Sequence, residues 1–407
     1  MLNFFDKLVL GLAAVPMMRD LSISPAKFGY IGSSFFLLYA VSGIVTGLFL
    51  IGRVKVKWIL AGLAILWSVS QLAVFFTNSF MMIVAGRILL GVGEGPALPT
   101  ALHACYDWFD GNRRSVPAGF ILQGISFGFL AGSPLLTAII VHRGWHTAFL
   151  VCGLLSIGWI ALWLILGAEG PFAAENELRA SADRSSALRM THRELWLNPT
   201  VIGVMVMSTM SYWVVGMAGT WLPPYLRQGL GYGPSQTGWI ISAVYLFQSP
   251  LLLVGAWFTQ RLLRRGYSRR ICLGHSSAAV LLMSAVALAA ATRSQGVLQL
   301  CLIAVGFAAP SLTTVFGPLA LAGVAPPAQR GKLIVVIYSA NTISALVSNA
   351  AVGWLVGRAA GHVAAGYSSA MLLTASVQLT GALAAFLLMF PRRFPLTSNP
   401  VTEGAAG

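Results

Sequence analysis

Twelve runs of apolar residues, each close to the roughly 20 that an α-helix needs to cross a bilayer, take up almost the whole of this 407-residue chain. They fall at approximately 1–18, 26–51, 58–77, 80–105, 115–141, 146–168, 198–222, 235–260, 270–292, 296–322, 332–357 and 365–390. No water-soluble core absorbs that pattern. Only 9% of the residues are Asp, Glu, Lys or Arg, against roughly 25% in a soluble domain. In hydrocarbon every backbone N–H and C=O must be paired within its own segment, so runs of this length read as helices. The expected fold class is an all-α membrane protein with twelve transmembrane helices.

The one long polar interval, 169–197, separates six runs from six, and its charge, small residues and Pro171 mark a surface linker. The organisation expected is a six-helix half over 1–168, a cytoplasmic linker over 169–197, a second six-helix half over 198–391 and a cytoplasmic tail over 392–407. An internal repeat agrees with this division. Pro25, Gly29, Tyr30, Ile31 and Ser33 recur as Pro234, Gly238, Trp239, Ile240 and Ser242 at the opening of the second helix of each half. Gly47 and Arg53 recur as Gly255 and Arg261. Two pseudo-symmetric halves in parallel orientation are one plan of membrane transporters, with the substrate site near the bilayer midplane between them.

A formal charge of +15 would by itself point to an acidic partner. Placing the charges removes that reading. With both termini inside, eighteen of the 26 Lys and Arg residues fall in cytoplasmic segments, six lie outside, and Lys7 and Arg87 lie within helices. The positive-inside rule thus orients the chain with N and C termini cytoplasmic, as a multi-pass protein of the cell's inner membrane. Cations spread over short loops on one face offer no nucleic-acid surface. Cys105, Cys152, Cys272 and Cys301 show no metal-type spacing and read as free thiols, and no cofactor motif is present. Only five residues precede Asp6, about 7–8 Å of helix. That sets Asp6 near the cytoplasmic edge and makes a further turn or two of sequence upstream expected.

Ionisable side chains inside spans are costly and mark function by default. Here they are Asp6, Lys7, Arg87 and Glu94, all in the first half, and between Glu194 and Glu403 there is no Asp or Glu. A coupling proton must therefore use Asp6 and Glu94, or a His such as His275. Arg87 and Glu94 are seven apart and share one helix face. Gly91, Gly93, Gly95 and Pro96 are expected to loosen that helix beside a cavity. Two cations, Lys7 and Arg87, suit an anionic substrate, since Arg can clamp a carboxylate through two parallel bonds. Protonating both acids leaves net positive charge, so proton and anion favour each other's binding. The plainer reading is an ion pair tying the first helix to the fourth. Tyr39, Gln123, Trp221 and Asn341 are candidate substrate contacts, although such residues also serve helix packing. Gly124, Gly128 and Gly132 read as a close-packing seam.

These residues resemble the major facilitator superfamily, and within it the anion:cation symporter family of hexuronate, aldonate, phthalate and tartrate permeases. Asn3-Phe4-Phe5-Asp6-Lys7 is similar to that family's N-Y-x-D-R element. The stretch Gly86 to Pro96, with Gly93-Glu94-Gly95-Pro96 at its end, resembles its fourth-helix G-E-[AG]-P signature, and Thr220-Trp221-Leu222-Pro223 its T-W-L-P. Trp108-Phe109, Arg113-Arg114 and Gly144-Trp145-His146 are similar to its W-F, R and G-W-R elements. The resemblance implies a monomeric importer of a small organic anion with protons, in which Asp6 and Glu94 bind protons and Arg87, Tyr39 and Asn341 bind substrate. Three departures from the pattern matter. Lys7 stands where Arg is usual, the loop Ile51 to Lys55 lacks the superfamily's acid, and His146 replaces an Arg. A proton-coupled exporter or antiporter is the alternative, but the fifth helix lacks the G-P-x-x-G-G string of antiporters. No clustered nucleophile or metal set speaks for an enzyme.

Overall fold

Helix starts follow the local chemistry. Ser24 and Asn198 cap helices whose first residues are Pro25 and Pro199, each side chain accepting from a backbone N–H of the first turn. A one-residue link, Gly144 at φ +83, lets two long helices turn back on one another. The computed structural model describes residues 1–109, 113, 115–173, 190–359 and 361–390. The expected tail and most of the expected linker, with Arg114, Arg179, Arg184, Arg189, Arg392 and Arg393, lie outside the described residues.

Among the described residues, eleven helices are long and apolar enough to cross a membrane. In chain order behind a first helix α1 (Leu2–Asp20), they are α2 (Pro25–Leu50), α3 (Val56–Phe75), α4 (Phe80–Tyr106), α5 (Val116–Arg143), α6 (Trp145–Leu166), α7 (Pro199–Thr220), α8 (Pro234–Arg264), α9 (Arg270–Ala291), α10 (Gly296–Val324), α11 (Gln329–Arg358) and α12 (Val363–Leu388). Four of them are not the unbroken rods the apolar runs imply, α9 among them, which opens in a wide turn over Arg270–His275. α2 is interrupted at Leu38 and ends in a wide turn over Thr46–Leu50. α4 breaks at Gly95–Pro96, and α10 tightens over Ala309–Leu312 at Pro310. The prolines in α4 and α10 remove a backbone donor where the helix would need it.

The core divides in three. One buried cluster is shared by both halves at the end carrying Gly144, the outer end in the expected orientation; Leu8, Met17 and Phe28 of the first half belong to it together with Trp221, Tyr225 and Tyr367 of the second. Toward the opposite end each half has its own cluster, around Phe35, Val56 and Trp67 in one and around Val201, Phe316 and Met389 in the other. The halves therefore meet at the outer end and part at the inner one. The repeated residues make that junction twice. Ser33 of α2 donates to Leu346 O of α11 at 2.7 Å, and its counterpart Ser242 of α8 donates to Leu130 O of α5 at 2.8 Å. Gly29 sits against the backbone of Asn349, and Gly238 against Thr137 and Ser133. Ser133 adds a further bond to Gly238 O at 2.8 Å. The seam Gly124, Gly128 and Gly132 on α5 receives Met1, Phe4 and Phe5 of α1.

Candidate functional site

α4 packs closely on α2 through Gly91 and Gly95, and its Arg87 and Glu94 side chains reach α1. A Cβ on either would strike the carbonyl of Phe35 or Tyr39, so only glycine lets the backbones approach this closely. Gly91 and Gly95 thus serve contact with α2, and the loosening expected beside Glu94 is confined to a break at Gly95–Pro96.

On the face so positioned, Lys7 Nζ stands 3.0 Å from Glu94 Oε2; the Glu94 side chain has no exposed surface and that of Lys7 is 22% exposed. Glu94 is the last residue before the break in the 27-residue α4, near the middle of the span. Asp6 is therefore at mid-depth and not near the edge, because depth is set by the partner helix and not by distance from the first residue. Arg87 Nη1 donates to the backbone carbonyl of Asp6 at 3.1 Å, and its guanidinium lies 4.9 Å over the Phe35 ring. Gln71 of α3 donates to Asp6 Oδ1 at 2.6 Å. Buried and without a hydrogen-bond partner are Asp6 Oδ2, Glu94 Oε1 and Arg87 Nε. Burying two acids and two bases together is tolerable because their charges offset within one cluster.

Tyr39, just past the interruption of α2, places its ring 5.4 Å from Lys7 Nζ, and Phe4 and Phe35 place theirs at 4.7 and 5.8 Å. Across the interior, Tyr212 of α7 and Tyr245 of α8 are near enough to feel the Lys7 charge. Asn341, midway along α11, accepts from Ser208 and Thr209 of α7 at 3.1 and 2.9 Å, while its Nδ2 is buried without a partner. Gln123 accepts from Ser249 at 2.9 Å and so joins α5 to α8.

The structure thus brings Asp6, Lys7, Arg87, Glu94 and Tyr39 together and sets Asn341 on the wall of the other half. It does not bring Trp221 to them. That ring is fully buried at the outer end of α7, donates to Asn349 O at 3.1 Å and meets Phe28 edge-on. His275 is stacked on Phe386 at the start of α9. Gln71 was missed, although a Gln inside an apolar span is itself a signal. Tyr212 was missed because a lone Tyr in an apolar run is indistinguishable from packing.

A helical membrane bundle in two halves, closed at one end, with a mixed-charge cluster at mid-depth, is the architecture of a transporter and not of an enzyme. The chain belongs to the Major Facilitator Superfamily, whose model matches residues 1–232 and again 204–406. A D-galactonate transporter of Escherichia coli O6:H1 is 26% identical over 410 residues, 95% of this chain and 92% of that protein. A probable L-galactonate transporter of Escherichia coli K12 is 26% identical over 286 residues, 67% of this chain and 62% of that protein. The hexuronate transporter of the same strain is 26% identical over 241 residues, 57% and 56% of the two chains. The last two matches span less than two thirds of the relative's length. Among solved structures, an inward-facing, occupied bacterial homolog of the human lysosomal transporter Spinster superposes with a TM-score of 0.82 at 16% identity, covering 97% of this chain and 96% of that one. A D-xylose-proton symporter superposes at 0.75, also at 16% identity, over 96% and 95%. At these identities the likeness concerns the fold.

Proposed function

We propose that this protein imports a small organic anion, a sugar acid or other carboxylate, together with protons. The observation that carries this reading is the Lys7–Glu94 pair at mid-depth, with Arg87 and Asp6 beside it. With both acids ionised the cluster is neutral and each cation is engaged. A proton on Glu94 releases the Lys7 ammonium to a carboxylate arriving between the halves, and departure of the anion restores the pair. Proton and anion thereby favour one another's binding, and by linkage the effect is reciprocal. Relatives that carry galactonate and hexuronate support the anionic cargo. Residues 1–168 and 198–391 act as two bodies that rock about the site, joined by the linker 169–197 and followed by the tail 392–407. With both termini cytoplasmic in the inner membrane, the arrangement described above faces inward. The protein works as a monomer.

The test is uptake into proteoliposomes with and without an imposed proton gradient, sugar acids and simple carboxylates being offered in turn. Wild type accumulates its anion only with the gradient. Glu94→Gln retains exchange of anion for anion and loses gradient-driven accumulation. Undiminished accumulation by that variant refutes the coupling role of Glu94.

A further inference from the structure

We propose that the turn between α8 and α9 holds the phosphodiester of an anionic phospholipid at the inner end of the second half. Five of the ten residues from Arg261 to Arg270 are arginine. Arg261, Arg264, Arg265 and Arg270 are exposed and Arg269 is half-buried. Gly266 takes φ +85 and Tyr267 N donates back to Leu262 O at 3.2 Å, so the chain reverses sharply and returns Arg269 and Arg270 beside the end of α8. Like charges gathered this closely repel and call for a counter-charge. The second half supplies none. No Asp or Glu stands between Glu194 and Glu403, and none of the five guanidiniums meets a carboxylate among the described residues.

The counterpart in the first half, where Gly47 and Arg53 stand for Gly255 and Arg261, is settled by the protein itself. Lys57, in the first turn of α3, donates its backbone N–H to Glu169 Oε1 at 2.9 Å and its ammonium to Leu164 O at 2.8 Å, and Trp163 donates to the Lys57 carbonyl at 3.0 Å. A carboxylate of the same half thus caps that turn. At the α8 turn the missing anion comes from the bilayer, because of where this face points. Val254, Trp257, Arg261 and Arg265 follow one another along α8 at helical spacing. Val254 and Trp257 are 60% and 57% exposed, and the Arg261 guanidinium lies 5.2 Å over the Trp257 ring. One stripe therefore runs from the lipid tails to the headgroups. Arg270 lies 4.0 Å over the Phe390 ring on the other side of the turn. A cation held over a ring still has N–H donors for phosphate oxygens, which Arg takes two at a time. Four or more cations at the cytoplasmic end of a span are what an anionic leaflet attracts.

The full-length protein in dodecylmaltoside micelles, titrated with phosphatidylglycerol or with phosphatidylcholine of the same chains, tests this by native mass spectrometry and thermal unfolding. Phosphatidylglycerol is expected to be retained and to raise the melting temperature, and phosphatidylcholine to do neither. Arg264→Gln with Arg265→Gln is expected to weaken phosphatidylglycerol about 25-fold, about fivefold for each arginine. Arg264→Lys with Arg265→Lys keeps most of the binding, and Arg53→Gln with Lys55→Gln, which removes as much charge from the first half's loop, leaves it unchanged. Phosphatidylcholine bound as tightly as phosphatidylglycerol, or the Arg53 and Lys55 variant weakened as much as the Arg264 and Arg265 variant, overturns the site. An equal rise in melting temperature with glycerol phosphate or inorganic phosphate makes the turn a site for a soluble anion and overturns the lipid.

Discussion

Replacing Lys7 by Met strands the Glu94 carboxylate, which has no exposed surface and loses an ammonium 3.0 Å away. Removing one partner of a buried pair costs about 3–5 kcal/mol, because the remaining charge is left uncompensated. Lys7 is itself 22% exposed, so water already screens that side of the pair. The lower end, about 3 kcal/mol, is therefore expected. Glu94→Gln strands the other charge, but that charge is the partly exposed one and stays over the Phe4 and Tyr39 rings. A loss of about 1–2 kcal/mol follows. The double variant leaves no unpaired charge and should resemble Glu94→Gln alone, which gives a coupling energy of about 3 kcal/mol. Unfolding in dodecylmaltoside micelles titrated with SDS, followed by tryptophan fluorescence, measures all four corners of the cycle. A double variant destabilised by the sum of the two single losses, about 4–5 kcal/mol, would show that the two side chains do not compensate one another, and the pair would lose its place at the centre of the site.

Gly91→Ala drives a methyl group into the Phe35 carbonyl, so a loss of about 1–3 kcal/mol is expected; Gly62→Ala, with nothing within 4 Å of the new Cβ, is the control and should melt within a degree or two of wild type. Ser33→Ala together with Ser242→Ala removes the two repeated bonds at the outer junction. At about 0.6 kcal/mol each, the ratio of this arrangement to one parted at that junction should fall about eightfold, read as faster labelling of a cysteine introduced between α5 and α8 at the same end. Unchanged labelling would mean that apolar packing alone holds the junction.

The helix count and the division into halves could be read from the sequence because lipid imposes a length on every apolar run, and the serine repeat has the same physical task in both copies. Irregularities inside helices were harder. Leu38 carries no signal, so the interruption of α2 that turns Tyr39 toward Lys7 could not be foreseen. The spacing of Arg87 and Glu94 gave a shared face, but which acid meets which base depends on how α1 is rotated against α4, and that is set by Phe4 and Phe5 seating on Gly128 and Gly132. Hence Lys7 finds Glu94, while Arg87 finds a carbonyl. Trp221 looked like a site residue because polar aromatics near span ends serve packing and binding alike.

Among the described residues, every acidic or basic side chain placed at mid-depth belongs to the first half, and the stretch between Glu194 and Glu403 has no Asp or Glu. A membrane potential does work of about 2.3 kcal/mol per elementary charge per 100 mV, so on the protein itself it can act at that depth through one half only. On the proposed mechanism, with Asp6 and Glu94 ionised, Lys7 and Arg87 balance them and the return of the empty carrier would move no net charge. A monoanion travelling with one proton is equally silent, and each additional proton turns the loaded step into a current. The voltage dependence of uptake would thus count the protons.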